Sequence, residues 1–384
     1  MNKTLAMGVA LAALMAAATA NAQDAVKIGM VTTLSGPGGY LGEDVRDAFK
    51  LAIDQGGGKL GGVPVNLLVE DDGLKPANGK QIAEKFLKSE KAKILTGIIF
   101  SNVAGAVVPD VLDAGAFYLS PNAGPSNFAG KDCHKNYFAV AWQNDTLHEA
   151  AGASATAQGY KKAFILAPNY QAGKDALAGF KRFFKGEVVG ETYTKLDQTD
   201  YAAELAQIRA AKPDVVFQFH PGGLGITFLK QYVQAGLKDS IPMVLSAPSL
   251  DSRIVAAVGE AAEGVKGTTH WNTDFPNDAS KAFVAAFQAK YNRLPTWYAS
   301  QGYETALLIG SALKAVGGDM SKADAFRDAV RKADFPAIRG NFKFAANQHP
   351  VQDWYATEVE KGALKTGAVV LPQRGDAYAD QCKM

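Results

Sequence analysis

Short, near-continuous apolar runs alternate along this chain with longer segments whose apolar positions recur every third or fourth residue. The runs are VKIGMVTTL from Val26, VPVNLLVE from Val63, ILTGIIF from Ile94 and AFYLS from Ala116. KAFILA from Lys162, DVVFQF from Asp214, PMVLS from Pro242 and VKGTTHW from Val265 continue the series. Strands apolar on both faces suit a parallel sheet, which is covered on both sides. The longer segments are amphipathic. LGEDVRDAFKLAID puts Val45, Ala48, Phe49 and Ala52 on one stripe, and NGKQIAEKFLKS, DYAAELAQIRAA and DASKAFVAAFQAKY repeat the device. Strand and helix in alternation predict an α/β fold with parallel sheets.

The order runs twice, from Val26 to about Trp142 and from Ala163 to about Trp271. Two such series predict two lobes, each with its own doubly wound sheet. The helices from about Ala279 to Lys332 must then pack on one of them. RGNFKF and VQDWYATEVEKG read as a β pair, and TGAVVL as a short closing strand. No low-complexity linker or charge block interrupts the pattern, which favours several crossings between lobes over one flexible tether.

Composition narrows the classes. The 384 residues allow roughly two to three domains by length. With 47% hydrophobic and 20% charged residues the chain can bury a sizeable core. Lys and Arg number 40 against 38 Asp and Glu, a net charge of +2 that gives no case for nucleic acid or an anionic membrane as partner. The start, MNKTLAMGVALAALMAAATANAQDA, has Lys3, an apolar run from Leu5 to Ala18, and the small-x-small site Ala20-Asn21-Ala22. That pattern predicts a signal peptide over residues 1–22, cleaved after Ala22, and export to the periplasm. A membrane anchor is the alternative, but the run is short for a span. The two cysteines, Cys133 and Cys382, both follow the cleavage site. An oxidising compartment lets them pair, tying the C-terminal tail to a loop in the first series; two unpaired thiols are the alternative.

Ligands of parallel α/β sheets bind beyond the carboxyl ends of the strands, where helix N-termini present free N–H groups. After the first strand, TLSGPGGYLGED is not a dinucleotide loop: Leu41 stands where a third glycine is needed, and Pro37 removes an N–H. It reads as a turn that points Tyr40 into a cleft. After the third strand, Ser101 and Asn102 open a helix and serve equally as N-caps. After the fourth, Asn122-Ala123-Gly124 offers a side-chain amide and closely approachable backbone. The second series adds Tyr170 and Gln171, then Phe219, His220 and Pro221, then Ala247, Pro248 and Ser249. Catalytic readings fare poorly. His134, His148, His220, His270 and His349 form no HxH or HExxH, two distant cysteines make no zinc knuckle, and no GxSxG elbow occurs. Glu70-Asp71-Asp72, without a glycine loop, reads as a solvated turn.

These motifs together resemble the periplasmic solute-binding proteins of ABC transporters, of the Leu/Ile/Val-binding type. IGMVTTLSGPGGYLGED, VEDDGLKP, LTGIIFSNVAG, LSPNAGPS, LKQYVQAGL and VGEAAEGV carry the likeness, in order and over essentially the whole mature chain. The resemblance implies the type I periplasmic binding protein fold, two lobes joined by three crossover segments. Lobe 1 is then 23–143 with 271–351, and lobe 2 is 144–270 with 352–384. It implies no catalysis and no cofactor, a small-molecule carboxylate as ligand, an inner-membrane ABC permease as partner, and a monomer. The family's carboxylate site maps onto Ser101, with Phe100 before it, and onto Asn122 and Gly124. Its first-strand aromatic maps onto Tyr40, and its lobe 2 contacts onto Tyr170 to Ala172, Phe219 to Pro221 and Ala247 to Ser249.

One departure bears on the ligand. Amino acid binders of this type carry an acid after the strand ending here in LSAPS, where this chain has Ala247-Pro248-Ser249 and only later Asp251. A buried ammonium without a partner costs on the order of several kcal/mol. The aromatic residues Tyr40, Phe100, Trp142, Tyr170, Phe219 and Trp297, with SPNAGPS, WQND and RGNFKFAANQHPVQDWY, resemble the subgroup that binds aromatic acids such as benzoate or cinnamate derivatives. His220 is the candidate partner for a ring hydroxyl. A branched-chain amino acid binder, an exported enzyme and a receptor-docking sensor are the rivals.

Overall fold

The computed structural model describes residues 24–384, so the expected leader lies outside the described residues. The first series forms β1 (Val26–Thr32), α1 (Gly39–Gln55), β2 (Lys59–Leu60), β3 (Val63–Asp71), α2 (Pro76–Lys88), β4 (Ile94–Thr96), α3 (Ser101–Asp113), β5 (Phe117–Ser120), α4 (Ser126–Ala129) and β6 (Tyr137–Ala139). Its sheet has the order β2-β3-β1-β4-β5-β6, parallel except for β2 against β3. β1 lies at the centre because both its faces are apolar: Ile28, Met30 and Val31 are fully buried. α2 and α3 cover one face together.

The second series forms α5 (Asn144–Ala157), β7 (Lys162–Pro168), α6 (Gln171–Phe183), β8 (Glu187–Thr194), α7 (Ala202–Ala211), β9 (Val215–Gln218), α8 (Gly223–Gln234), α9 (Ser252–Val258) and β10 (Lys266–Thr269). β8, β7 and β9 are parallel. Period-two alternation sorts this sheet's side chains. Phe164, Leu166 and Val216 join a core with Phe228 and Ile254, while Ile165, Val215 and Phe217 join another with Leu177 and Phe180. The expected PMVLS strand contributes only the bridges Val216↔Met243 and Val244↔Lys266, which connect β9 to β10.

The chain then returns to the first sheet with α10 (Asp278–Tyr291), α11 (Trp297–Val316) and α12 (Ala323–Lys332), and finishes with β11 (Lys343–Phe344), β12 (Pro350–Glu360) and β13 (Ala363–Arg374). α11 packs along α1, and a Cβ at Gly302 would lie 2.2 Å from Val45 O, so only glycine lets those two helices close. β12 pairs antiparallel with β11 at its start and with β10 and β13 further on. The closing strand is thus twice as long as TGAVVL suggests. The architecture is the expected type I fold, two α/β lobes with three crossings. Cys133 and Cys382 are joined, with sulfurs 2.07 Å apart. Among the described residues, no helix is long and apolar enough to cross a membrane.

Candidate functional site

The ends of β4 and β5 are neighbours, so the loops leaving these two strands meet. Beyond β4, Phe100 takes an extended conformation and α3 begins at Ser101 without a side-chain cap. Its first amides therefore lack intrahelical partners. Beyond β5, the Asn122 Nδ2 donates to Ile99 O at 2.7 Å, which fixes the amide and leaves Oδ1 unpartnered. Asn144 Nδ2, at the start of α5, donates to Ser101 Oγ at 3.1 Å and to Asp175 Oδ2 at 3.0 Å. Ser101 thus accepts from the protein and keeps its own proton to give. Burial, then the nearby Asp145, raises the Asp175 carboxyl above the ordinary range.

Aromatic rings close the space above this polar floor. Phe100 from lobe 1 meets Tyr170 from lobe 2 at 6.3 Å, and Tyr170 stacks along Phe219 at 6.2 Å. Trp142 enters from the first crossover and contacts Trp297 at 4.6 Å. The cavity between the lobes holds about 350 Å³ of atom-free space, part of it open to solvent. No Asp, Glu, Lys or Arg lines it. The N-terminal turns of α3, α5, α6 and α11 all contribute lining residues. Their dipoles give the cavity a positive potential without a cation. Clefts of larger atom-free space lie against β12 and β13, but they sit away from the strand ends.

Residues 25–363 match the Periplasmic binding protein family. The chain belongs to that family. It is accordingly a substrate-binding protein of the ABC-transporter kind. Leu/Ile/Val-binding protein homolog 6 of Brucella melitensis is 28% identical over 92% of both chains. An ABC transporter solute binding protein of R. palustris, solved in complex with benzoate, superposes with a TM-score of 0.90 at 33% identity, over 94% of this chain and 100% of that one. Another from Rhodopseudomonas palustris BisB5, solved with 3,4-dihydroxy benzoic acid, gives 0.85 at 27%, over 92% and 99%.

Within this periplasmic binding protein, Phe100, Ser101, Asn122, Ala123, Trp142, Tyr170, Phe219 and Pro221 line the cavity. Seven other expected positions do not. Gly124 packs instead: its N–H donates to Asn144 Oδ1, and a Cβ there would lie 2.2 Å from Trp142 O. Asn102 follows Ser101 into α3 with its Oδ1 buried and unpartnered. Gln171 donates to Asp175 Oδ1 at 2.8 Å on the rim. The Ala247 carbonyl accepts from Trp297 Nε1 at 2.8 Å, and Ser249 Oγ accepts from His220 N at 2.9 Å. His220 is not on the lining. Its ring pairs with Gln218 Oε1 at 2.7 Å and Thr194 Oγ1 at 3.0 Å and stacks on Phe228, so it faces the opposite side of the sheet from Phe219. The cavity takes His148, Asn144 and Tyr298 in addition, none of which follows a strand directly.

Tyr40 is not on the lining either; it bridges the lobes, its hydroxyl donating to Asp251 Oδ2 at 2.8 Å while the Arg253 guanidinium lies 4.9 Å from its ring centre. Asp251 Oδ1 caps α9 through the amides of Arg253 and Ile254, both at 2.8 Å. The nearest acid to the expected ammonium site is therefore fully engaged elsewhere. Arg253 also reaches Asp44 of lobe 1 at 3.1 Å, and on the other flank Ser126 Oγ donates to Asp175 at 2.8 Å. Both sides of the cleft are latched, and the lobes are closed.

Proposed function

We propose that this protein captures an aromatic carboxylate of the benzoate type in the periplasm, after cleavage of its leader, and delivers it as a monomer to an inner-membrane ABC permease. The carrying observation is a cavity between the lobes walled by Phe100, Tyr170, Trp142 and Phe219 with no Asp, Glu, Lys or Arg on its lining. An acid fits its pole, where the Ser101 hydroxyl and the free amides of α3 converge. An ammonium finds no carboxylate, because Asp251 serves α9 and Tyr40. This disfavours a branched-chain amino acid, in spite of the names of the Brucella relatives. The R. palustris relative in complex with benzoate supports the same class.

The mechanism is capture by closure. Ligand contacts to both lobes stabilise the latched form over the open one, no bond is made or broken, and no nucleic acid or cofactor takes part. Isothermal calorimetry tests the reading: benzoate-type acids bind and leucine does not. Leucine binding with benzoate inert overturns it.

A further inference from the structure

We propose that His148, braced by Ser246, reads a hydroxyl group at the far end of the ligand's ring. The proposal rests on the aromatic-acid reading above and adds a determinant of choice within that class. His148 lies on the first turns of α5, 1% exposed, and lines the cavity. Its Nδ1 is 2.8 Å from the Oγ of Ser246, itself fully buried. Phe217 and Phe219 hold the imidazole edge-on, with centroids 5.7 and 4.8 Å away. These contacts fix the ring, and the remaining nitrogen, Nε2, has no partner among the described residues. Nor is Nε2 sealed off, in contrast to both ring nitrogens of His270. It opens on the cavity.

Placement along α5 sets what it reads. Asn144, which holds Ser101 at the acid pole, precedes His148 by one helical turn on the same face. Residues at that spacing have Cβ atoms about 5–6 Å apart, so the two side chains reach the cavity at separate points along α5. A ring whose carboxylate sits at Ser101 extends into the cavity that His148 also lines. Burial keeps the imidazole neutral, with its pKa pushed down to about 3. A neutral ring held at Nδ1 offers one donor or one acceptor at Nε2, according to which way the Ser246 hydroxyl turns. A phenolic hydroxyl complements either state. A ligand without one leaves Nε2 desolvated and unpaired, and sites built around a hydroxyl discriminate strongly against such analogues.

Titration of the intact mature protein with benzoate and 4-hydroxybenzoate tests the assignment. The wild type is expected to bind 4-hydroxybenzoate about tenfold or more tighter than benzoate, and His148→Leu to bring the ratio of the two affinities to about one. Equal affinities in the wild type, or an equal loss for both ligands in His148→Leu, overturn the role of His148 and leave the aromatic-acid reading standing. If neither acid binds the wild type, that reading itself fails. Should His148→Leu not fold, ring-¹⁵N NMR of the wild type decides instead: the Nε2 resonance moves with 4-hydroxybenzoate and not with benzoate, and identical responses overturn the proposal.

Discussion

Ser101 is the residue on which affinity should depend most simply. Its oxygen already accepts from Asn144 and its proton is free, so toward a carboxylate it acts as a donor. Charge-assisted hydrogen bonds contribute about 1.5–3 kcal/mol, so Ser101→Ala should weaken aromatic-acid binding roughly ten- to a hundredfold. Calorimetry on the folded variant checks this, with an unchanged melting temperature, because Asn144 keeps Asp175 as a partner. An unaffected affinity would move the acid pole elsewhere. The strand-end rule made Ser101 and Asn122 legible in the sequence. It failed at His220 because Phe219 and His220 are consecutive, and consecutive side chains of an extended segment face opposite ways. It was silent at His148, whose only signal is helical spacing from Asn144 within NDTLHEAAGA.

At the scale of elements, closure brings a helix cap and a tyrosine onto one carboxylate. Burial pushes Asp251 up to about 6, the hydrogen bonds from Ile254 N and Tyr40 opposing it and the charge of Asp44 adding to it. Asp44 is itself raised by burial, against the pull of Arg253 and Arg293. Parting the lobes returns Asp251 to water and toward the ordinary carboxylate range, near ~4. The closed form then holds its proton more tightly than the open one. Closure gains as pH falls from neutrality through about 6, and the gain ends near ~4, where both forms are protonated. Ligand binding at pH 6 should accordingly take up protons. Calorimetry in two buffers of different ionisation enthalpy reads this directly, and Asp251→Asn should diminish the uptake; buffer-independent enthalpies would refute it. Elements with one exposed face were the hard ones to find in the sequence. β8, at a sheet edge, mixes half-buried and exposed positions with only Thr194 buried, and the PMVLS run pairs through single bridges.

For the whole molecule, the two βα series foretold two lobes, and the late helices could be placed only through family likeness. The latches were illegible, since Tyr40 and Asp251 stand 211 residues apart and nothing local couples them. Small-angle scattering should show compaction when an aromatic acid is added. The disulfide bears on how far that motion runs. From the end of β13 the chain grips lobe 2 through Arg374 on Glu149 at 2.7 Å and then through Tyr378, whose hydroxyl donates to Asp145 at 2.6 Å. It then fastens to Cys133 beside lobe 1, closing a loop across a separation of 249 residues. In the chain-entropy account such a loop stabilises by roughly 5 kcal/mol, so Cys133→Ser should lower the melting temperature, and an unchanged melting temperature would deny the bond that role.

A tail held by one lobe and bonded to the other is also a leash. It caps the angle to which the jaws can swing. Reductant should therefore enlarge the empty protein in scattering and leave the liganded one as compact as before, making the resting gape of this trap a property of the redox state around it.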